Sequence, residues 1–245
     1  MTEAIARNGE AALQPLLRDH RLWRPGREPL SRRRTVATGH AELDAALPGG
    51  GWTLGAVTEI FHPQLGVGEL QLLLPALAEL TRRRRWLVLV SPPHIPYAPA
   101  LRAAGIDLSR VLLVHPRADR EALWAVEQAL RSGTCGAVMA WPSRADPGSV
   151  RRLQLAAEAG ESWSILLRRD AAARRPSPAA LRMAVEPEGD RLRIDLLKCR
   201  GGRPRSLLLP RSRAATGTPR IEPRDRERAT QLSLALCLEG SGQPS

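Results

Sequence analysis

Hydrophobic positions along the chain fall into short runs separated by amphipathic stretches. Trp86-Leu87-Val88-Leu89-Val90, Val111-Leu112-Leu113-Val114, Gly136-Ala137-Val138-Met139-Ala140 and Trp163-Ser164-Ile165-Leu166-Leu167 each read as a buried strand. Near-continuous apolar runs of this length suit strands covered on both faces. Residues 56–60 form a further short apolar strand. Helical spacing of apolar residues fills 71–82, 98–104, 120–131 and 149–159, and Pro75 predicts a kink in the first of these. The alternation predicts an α/β fold with a mainly parallel sheet and helices on both faces. Strand-like runs at 181–186 and 191–197, joined by Pro187-Glu188-Gly189-Asp190, predict a C-terminal hairpin.

The ends read differently from this core, which spans 35–210. Residues 1–34 form a basic arm in which Leu13, Leu16, Leu17 and Leu22 predict a short amphipathic helix, closed by Arg24-Pro25-Gly26. Residues 211–245 are polar, rich in Arg and interrupted by Pro, which predicts a flexible basic tail. One apolar island, Gln231-Leu232-Ser233-Leu234-Ala235-Leu236, breaks that tail. At 245 residues the chain fits one domain with two arms.

Charge and cysteine content narrow the classes. The formal net charge is +12, and only one of the 37 basic residues, Lys198, is a lysine. Such a surface suits nucleic acid or an acidic partner, and it equally suits arginine placed wherever any basic residue is tolerated. Cys135, Cys199 and Cys237 follow no metal-ligand spacing, so no metal and no disulfide framework is expected. The N-terminus is polar and charged, and no apolar run approaches a membrane span. A cytoplasmic location is expected.

The stretch 38–80 carries the most specific pattern. It holds Thr38-Gly39, Leu43-Asp44-Ala45-Ala46-Leu47, the turn Gly49-Gly50-Gly51, a strand, a loop and an apolar helix. This order resembles the front half of the RecA recombinase family. So do Gly55-Ala56-Val57-Thr58-Glu59-Ile60 before the loop, the segment 97–116, and Leu197-Lys198-Cys199-Arg200 followed by Pro204. The resemblance covers about 35–210 and implies a RecA-like core.

A working phosphate loop reads G-x-x-x-x-G-K-[ST]: amides cradle phosphates, the Lys reaches them, and the hydroxyl holds Mg²⁺. Here the loop is His62, Pro63, Gln64, Leu65, Gly66, Val67, Gly68 and Glu69. Gly68 stands at the lysine and Glu69 at the hydroxyl, where a carboxylate would repel a triphosphate. The catalytic acid expected after the next strand falls in Ser91-Pro92-Pro93-His94, and the metal-site acid falls at Trp141-Pro142. Loss of all these parts predicts a scaffold without ATP hydrolysis, no catalytic residues and no cofactor.

Two non-hydrolysing RecA-related groups are similar in 71–86, in Ala129-Leu130-Arg131-Ser132-Gly133 and in the strand ending at Trp141. One is ImuA, an accessory group of bacterial SOS translesion synthesis. The other is SulA, the SOS-induced inhibitor of the division GTPase FtsZ. Gly49-Gly50-Gly51-Trp52, the closing hairpin, Lys198-Cys199-Arg200 and the basic tail favour the ImuA group. That resemblance implies a non-enzymatic adaptor. Its implied partners are an inactive Y-family polymerase homologue of the ImuB type, an error-prone replicative-type polymerase reached through it, the recombinase RecA and the sliding clamp. The alternative it leaves is a SulA-like division inhibitor.

Gln231, Leu232, Ser233, Leu234, Ala235 and Leu236 resemble the bacterial clamp-binding peptide, with alternating leucines for an apolar pocket. The same island also suits docking on the polymerase-like partner or packing on the core. Lys198, Arg200, Arg203 and Arg205 around a Gly-Gly loop are the candidates for DNA or filament contact. Arg168-Arg169 and Arg174-Arg175 flank the place where the recombinase family carries a DNA-binding loop, here short and proline-bearing. Arg82-Arg83-Arg84-Arg85 reads as a helix end whose cations complement the dipole. His62 and His94 lack a supporting nucleophile or acid and read as structural, while Trp124 and Trp163 read as core or interface residues.

Overall fold

The structure, a computed structural model, describes residues 34–169, 172–173 and 175–211. Nearly all of the basic N-terminal arm and the tail with its Gln231–Leu236 motif lie outside the described residues.

The strands named above pair as expected, with β3 (Val57–His62) at the centre. With β4 at Trp86–Val90, β5 at Val111–Val114, β6 at Cys135–Ala140, β7 at Trp163–Arg169, β8 at Leu181–Glu188, β9 at Arg191–Cys199 and β10 at Arg205–Pro210, the main sheet has the order β10-β9-β8-β3-β7-β6-β4-β5. From β8 to β5 every pairing is parallel. β8, β9 and β10 add an antiparallel flank. The expected hairpin is therefore present but longer: Pro187 and Glu188 continue β8, and only Gly189 and Asp190 make the turn. A small antiparallel pair, β1 (Thr35–Val36) with β2 (Trp52–Thr53), lies outside the main sheet.

Period-2 side-chain alternation sends the apolar strand residues to two cores. One face packs Ile60, Leu87, Leu89, Met139, Trp163, Ile165 and Met183 with α1 (Ala41–Ala46) and α2 (Glu69–Arg82). The opposite face packs Val57, Val88, Val138 and Leu166 with α4 (Asp119–Arg131) and α5 (Pro147–Gly160). The remaining helix, α3 (Ala98–Ala103), buries no residue. Trp52 stacks on Trp163 at 5.0 Å between centroids, and Trp163 donates its Nε1–H to Thr58 Oγ1 at 2.9 Å. Trp163 is thus a core residue, as its strand position predicts.

Helix α2 runs unbroken through Pro75. A Cβ added to Gly39 would lie 2.5 Å from Pro75 Cβ, so the Thr38-Gly39 turn and the proline fit each other closely. Residues Val111–Val114 depart from expectation. They form an edge strand rather than a buried one, with Leu112 and Leu113 both exposed. The apolar run is the same in either setting, and only the strand order distinguishes them.

Candidate functional site

Chemistry in an open α/β sheet concentrates where parallel strands end and loops leave them. Strand β3 ends at His62, and the loop that follows passes into the first turn of α2. His62 is buried, with its Nδ1 3.0 Å from Gln64 O, which agrees with a structural role. Gly68 adopts φ 119°, a conformation that suits glycine and strains any side chain.

Glu69, the first residue of α2, turns its carboxylate back onto this loop. Its Oε1 accepts the Gly66 N–H at 2.9 Å and its Oε2 accepts the Gly68 N–H at 3.0 Å. The side chain is buried. Amides of this loop and the positive end of a helix form an anion nest. In this protein the nest holds an anion that belongs to the chain itself. Glu69 therefore stabilises the loop, where its sequence position suggested only repulsion of a triphosphate.

Behind the loop lies a buried ionic group. Glu59 is fully buried in β3 and accepts from Arg168 Nη1 at 2.6 Å and from Arg182 Nε at 2.9 Å. Arg168 also donates to Ala145 O, and Arg182 to Ala173 O, while the Arg182 guanidinium lies 5.0 Å over the Phe61 ring. A buried charge needs such partners. The sequence did carry a signal for part of this group: Glu59 and Arg182 are each a lone charge within an apolar strand, whereas Arg168 begins a charged run. Arg168, which flanks the place where the recombinase family carries a DNA-binding loop, is thus engaged by internal partners. Arg169 is exposed and donates to Pro63 O at 3.2 Å.

The other basic candidates lie elsewhere. Cys199 at the end of β9 pairs with Leu181 at the start of β8, so Lys198, Arg200, Arg203 and Arg205 sit toward the amino ends of the parallel strands. The structure does not bring them to the phosphate loop. Lys198 Nζ donates to Ser177 O at 2.8 Å, and its pKa is lowered, chiefly by burial and then by Arg182. Arg200 lies 3.9 Å from Glu158. In the arginine run, Arg82 and Arg83 both pair with Glu79 of their own helix. Trp124 is 63% exposed, which removes it from the core, and His94 is exposed.

A cleft of about 1680 Å³ opens at the carboxyl ends of β3, β6 and β7. His62 and Leu65 contribute from the phosphate-loop side, Trp141 and Arg144 from the loop after β6, and Arg120 and Trp124 from α4. Among the described residues no cluster of His, Cys, Asp and Glu forms a metal site, and no helix is long and apolar enough to cross a membrane.

Comparison with known proteins follows this geometry. The family model described as "Cell division inhibitor SulA" matches residues 55–164. Cell division inhibitor SulA of Edwardsiella piscicida is 32% identical over 133 residues, covering 52% of this chain and 75% of that protein. Protein ImuA of Caulobacter vibrioides is 28% identical over 208 residues, covering 74% of this chain and 85% of that protein. The chain belongs to the SulA-related family, which includes ImuA. Protein RecA of Chlorobaculum parvum is 34% identical over 106 residues, but these cover 43% of this chain and 30% of that protein. The RecA likeness of this SulA/ImuA relative is thus partial, and what it shares as a whole is a mixed α/β architecture with a large, mostly parallel sheet.

Proposed function

We propose that this SulA/ImuA relative is a non-enzymatic accessory protein of SOS-induced translesion DNA synthesis. One observation carries the non-enzymatic part: the Glu69 carboxylate occupies the Gly66 and Gly68 amides that a nucleotide phosphate would need. The phosphate-loop lysine is absent, and the ends of β4 and β6 supply Ser91 and Trp141 in place of acids. Phosphoryl transfer depends on positioning by those groups. The accessory part is supported by the similarity to ImuA, which extends over 74% of the chain.

In this reading the protein works in the cytoplasm and binds an inactive Y-family polymerase homologue of the ImuB type. Through that partner it reaches an error-prone polymerase, and it also contacts RecA and the sliding clamp. Lys198, Arg200, Arg203 and Arg205 would meet DNA or a filament, and residues 231–236 would meet a protein. The test is co-purification of the full-length chain with each of these proteins, alongside an ATPase assay. Capture of the polymerase homologue without hydrolysis supports the reading. ATP turnover by the purified chain would end the non-enzymatic claim.

The SulA match over 55–164 supports a second reading, inhibition of FtsZ assembly. Overexpression without DNA damage separates the two. Filamentous cells favour division inhibition, and normal septation favours the translesion role.

A further inference from the structure

The cleft at the carboxyl ends of the parallel strands is not absorbed by either reading. Its lining is net basic, with Arg120, Arg144, Arg152, Arg169 and Arg175 against Glu121, Glu127 and Asp146, even with the Glu59-paired Arg168 set aside. Asp146 is held by the Ser149 N–H and hydroxyl, and Glu121 accepts the Arg117 N–H. Glu127 is shared by Arg131 at 3.0 Å and Arg152 at 3.7 Å. Arg120 and Arg144, both exposed, make no side-chain hydrogen bond or ion pair among the described residues. The amino ends of α4 and α5 face the same region and add positive potential. Trp124 stands one helical turn from Arg120 and is 63% exposed, and Trp141 is half-buried nearby. Exposed Trp beside Arg is the composition of an interface anchor.

We propose that this cleft docks an acidic peptide segment of a partner protein, with carboxylates paired to Arg120 and Arg144 and an apolar or aromatic anchor against Trp124. Guanidinium forks match carboxylates, and an indole gives a rigid apolar contact. A nucleic-acid backbone would present the same negative charge, so the two occupants are separated by the apolar anchor that Trp124 offers a peptide side chain. Base stacking on successive rings would have only Trp124 and the half-buried Trp141 among the described lining residues. Charge argues against the chain's own arms as the occupant. Residues 1–33 carry seven Arg against four acids, and residues 212–245 carry five against four. The segment therefore comes from another protein.

The proposal rests on the protein-binding reading, yet its test uses no SOS protein, so failure of one is distinguishable from failure of the other. A random peptide library displayed on phage is panned on the full-length chain. Enriched peptides are then synthesised with a fluorophore and titrated by anisotropy, with labelled oligothymidylate in parallel. The expected result is enrichment of acidic sequences with one large apolar residue. Binding should weaken at least about tenfold in Arg144→Glu and in Trp124→Ala, and remain unchanged in Arg102→Glu on α3. The two cleft variants are exposed substitutions read separately, each with its melting midpoint, so a folding defect in one leaves the other decisive. Enriched peptides without acidic bias, or binding that ignores both substitutions, would overturn the proposal. So would oligothymidylate binding that depends on Arg144 while acidic peptides fail to bind.

Discussion

Glu69 shows how one carboxylate converts a phosphate nest into a closed structural turn. It neutralises two amide donors and the amino end of α2 together. Gly66 is exposed and Gly68 half-buried, so replacing Glu69 with alanine hands both donors to water, a loss expected to be about 0.5–1.5 kcal/mol per bond in urea unfolding. No measurable loss would mean that water satisfies the loop equally well and the carboxylate is incidental. Restoring the missing lysine alone should fail in a different way. Gly68→Lys forces a side chain onto a φ of 119°, so the variant should lose stability and show no ATP turnover. Turnover in that variant would show that the nest still admits a nucleotide. Glu59 raises the stakes at the same scale, because its two arginines are buried with it. Glu59→Gln leaves guanidinium charge uncompensated and should lower stability by about 3–5 kcal/mol. A loss below about 1 kcal/mol would mean that solvent screens the group. The sequence displayed both residues without their roles. Glu69 followed from the motif position, but its orientation depends on a backbone turn that no spacing encodes. Glu59 needed partners from β7 and β8, more than a hundred residues away.

At the scale of elements, the parallel core was legible because burial on both faces writes itself as apolar runs. Boundaries moved where polar caps took over. Helix α5 begins at Pro147 behind the cap Asp146, ahead of the apolar periodicity that starts near Ser149. The third antiparallel strand, Arg205–Pro210, escaped notice because its short apolar stretch ends in a proline and follows a Gly-Gly turn. The exposed edge of β5 was hidden for the converse reason, since Val-Leu-Leu-Val reads as buried wherever it stands. Caps also confer a pH dependence. Hydrogen bonds from the Ser149 backbone N–H, and then from its hydroxyl, hold the Asp146 carboxyl below its ordinary pKa. A group depressed in the folded state stabilises above its unfolded pKa and loses that contribution as pH falls through the folded one. Asp146→Ala should therefore lower the melting midpoint at neutral pH, and the gap from the native chain should close under acid. A gap that stays constant across the titration would remove charge from the explanation and leave shape alone.

The whole molecule combines a SulA-related core with an ImuA-like extent, and those two facts divide its predicted behaviour. A division inhibitor needs the matched core, so removing the C-terminal tail should leave filamentation intact if that reading holds. An adaptor with a tethered peptide behaves in the opposite way. A tethered peptide raises local concentration, so its removal abolishes capture while the core stays folded. The decisive comparison is co-purification of the sliding clamp, RecA and the polymerase homologue with the full chain and with a version ending at Arg228. Loss of the clamp alone assigns residues 231–236 as a clamp peptide. Loss of the polymerase homologue instead makes the tail its docking element. Retention of both places binding ahead of residue 229, and the Trp124 cleft is then the first surface to mutate. Capture of FtsZ alone by the full chain transfers the function to division control.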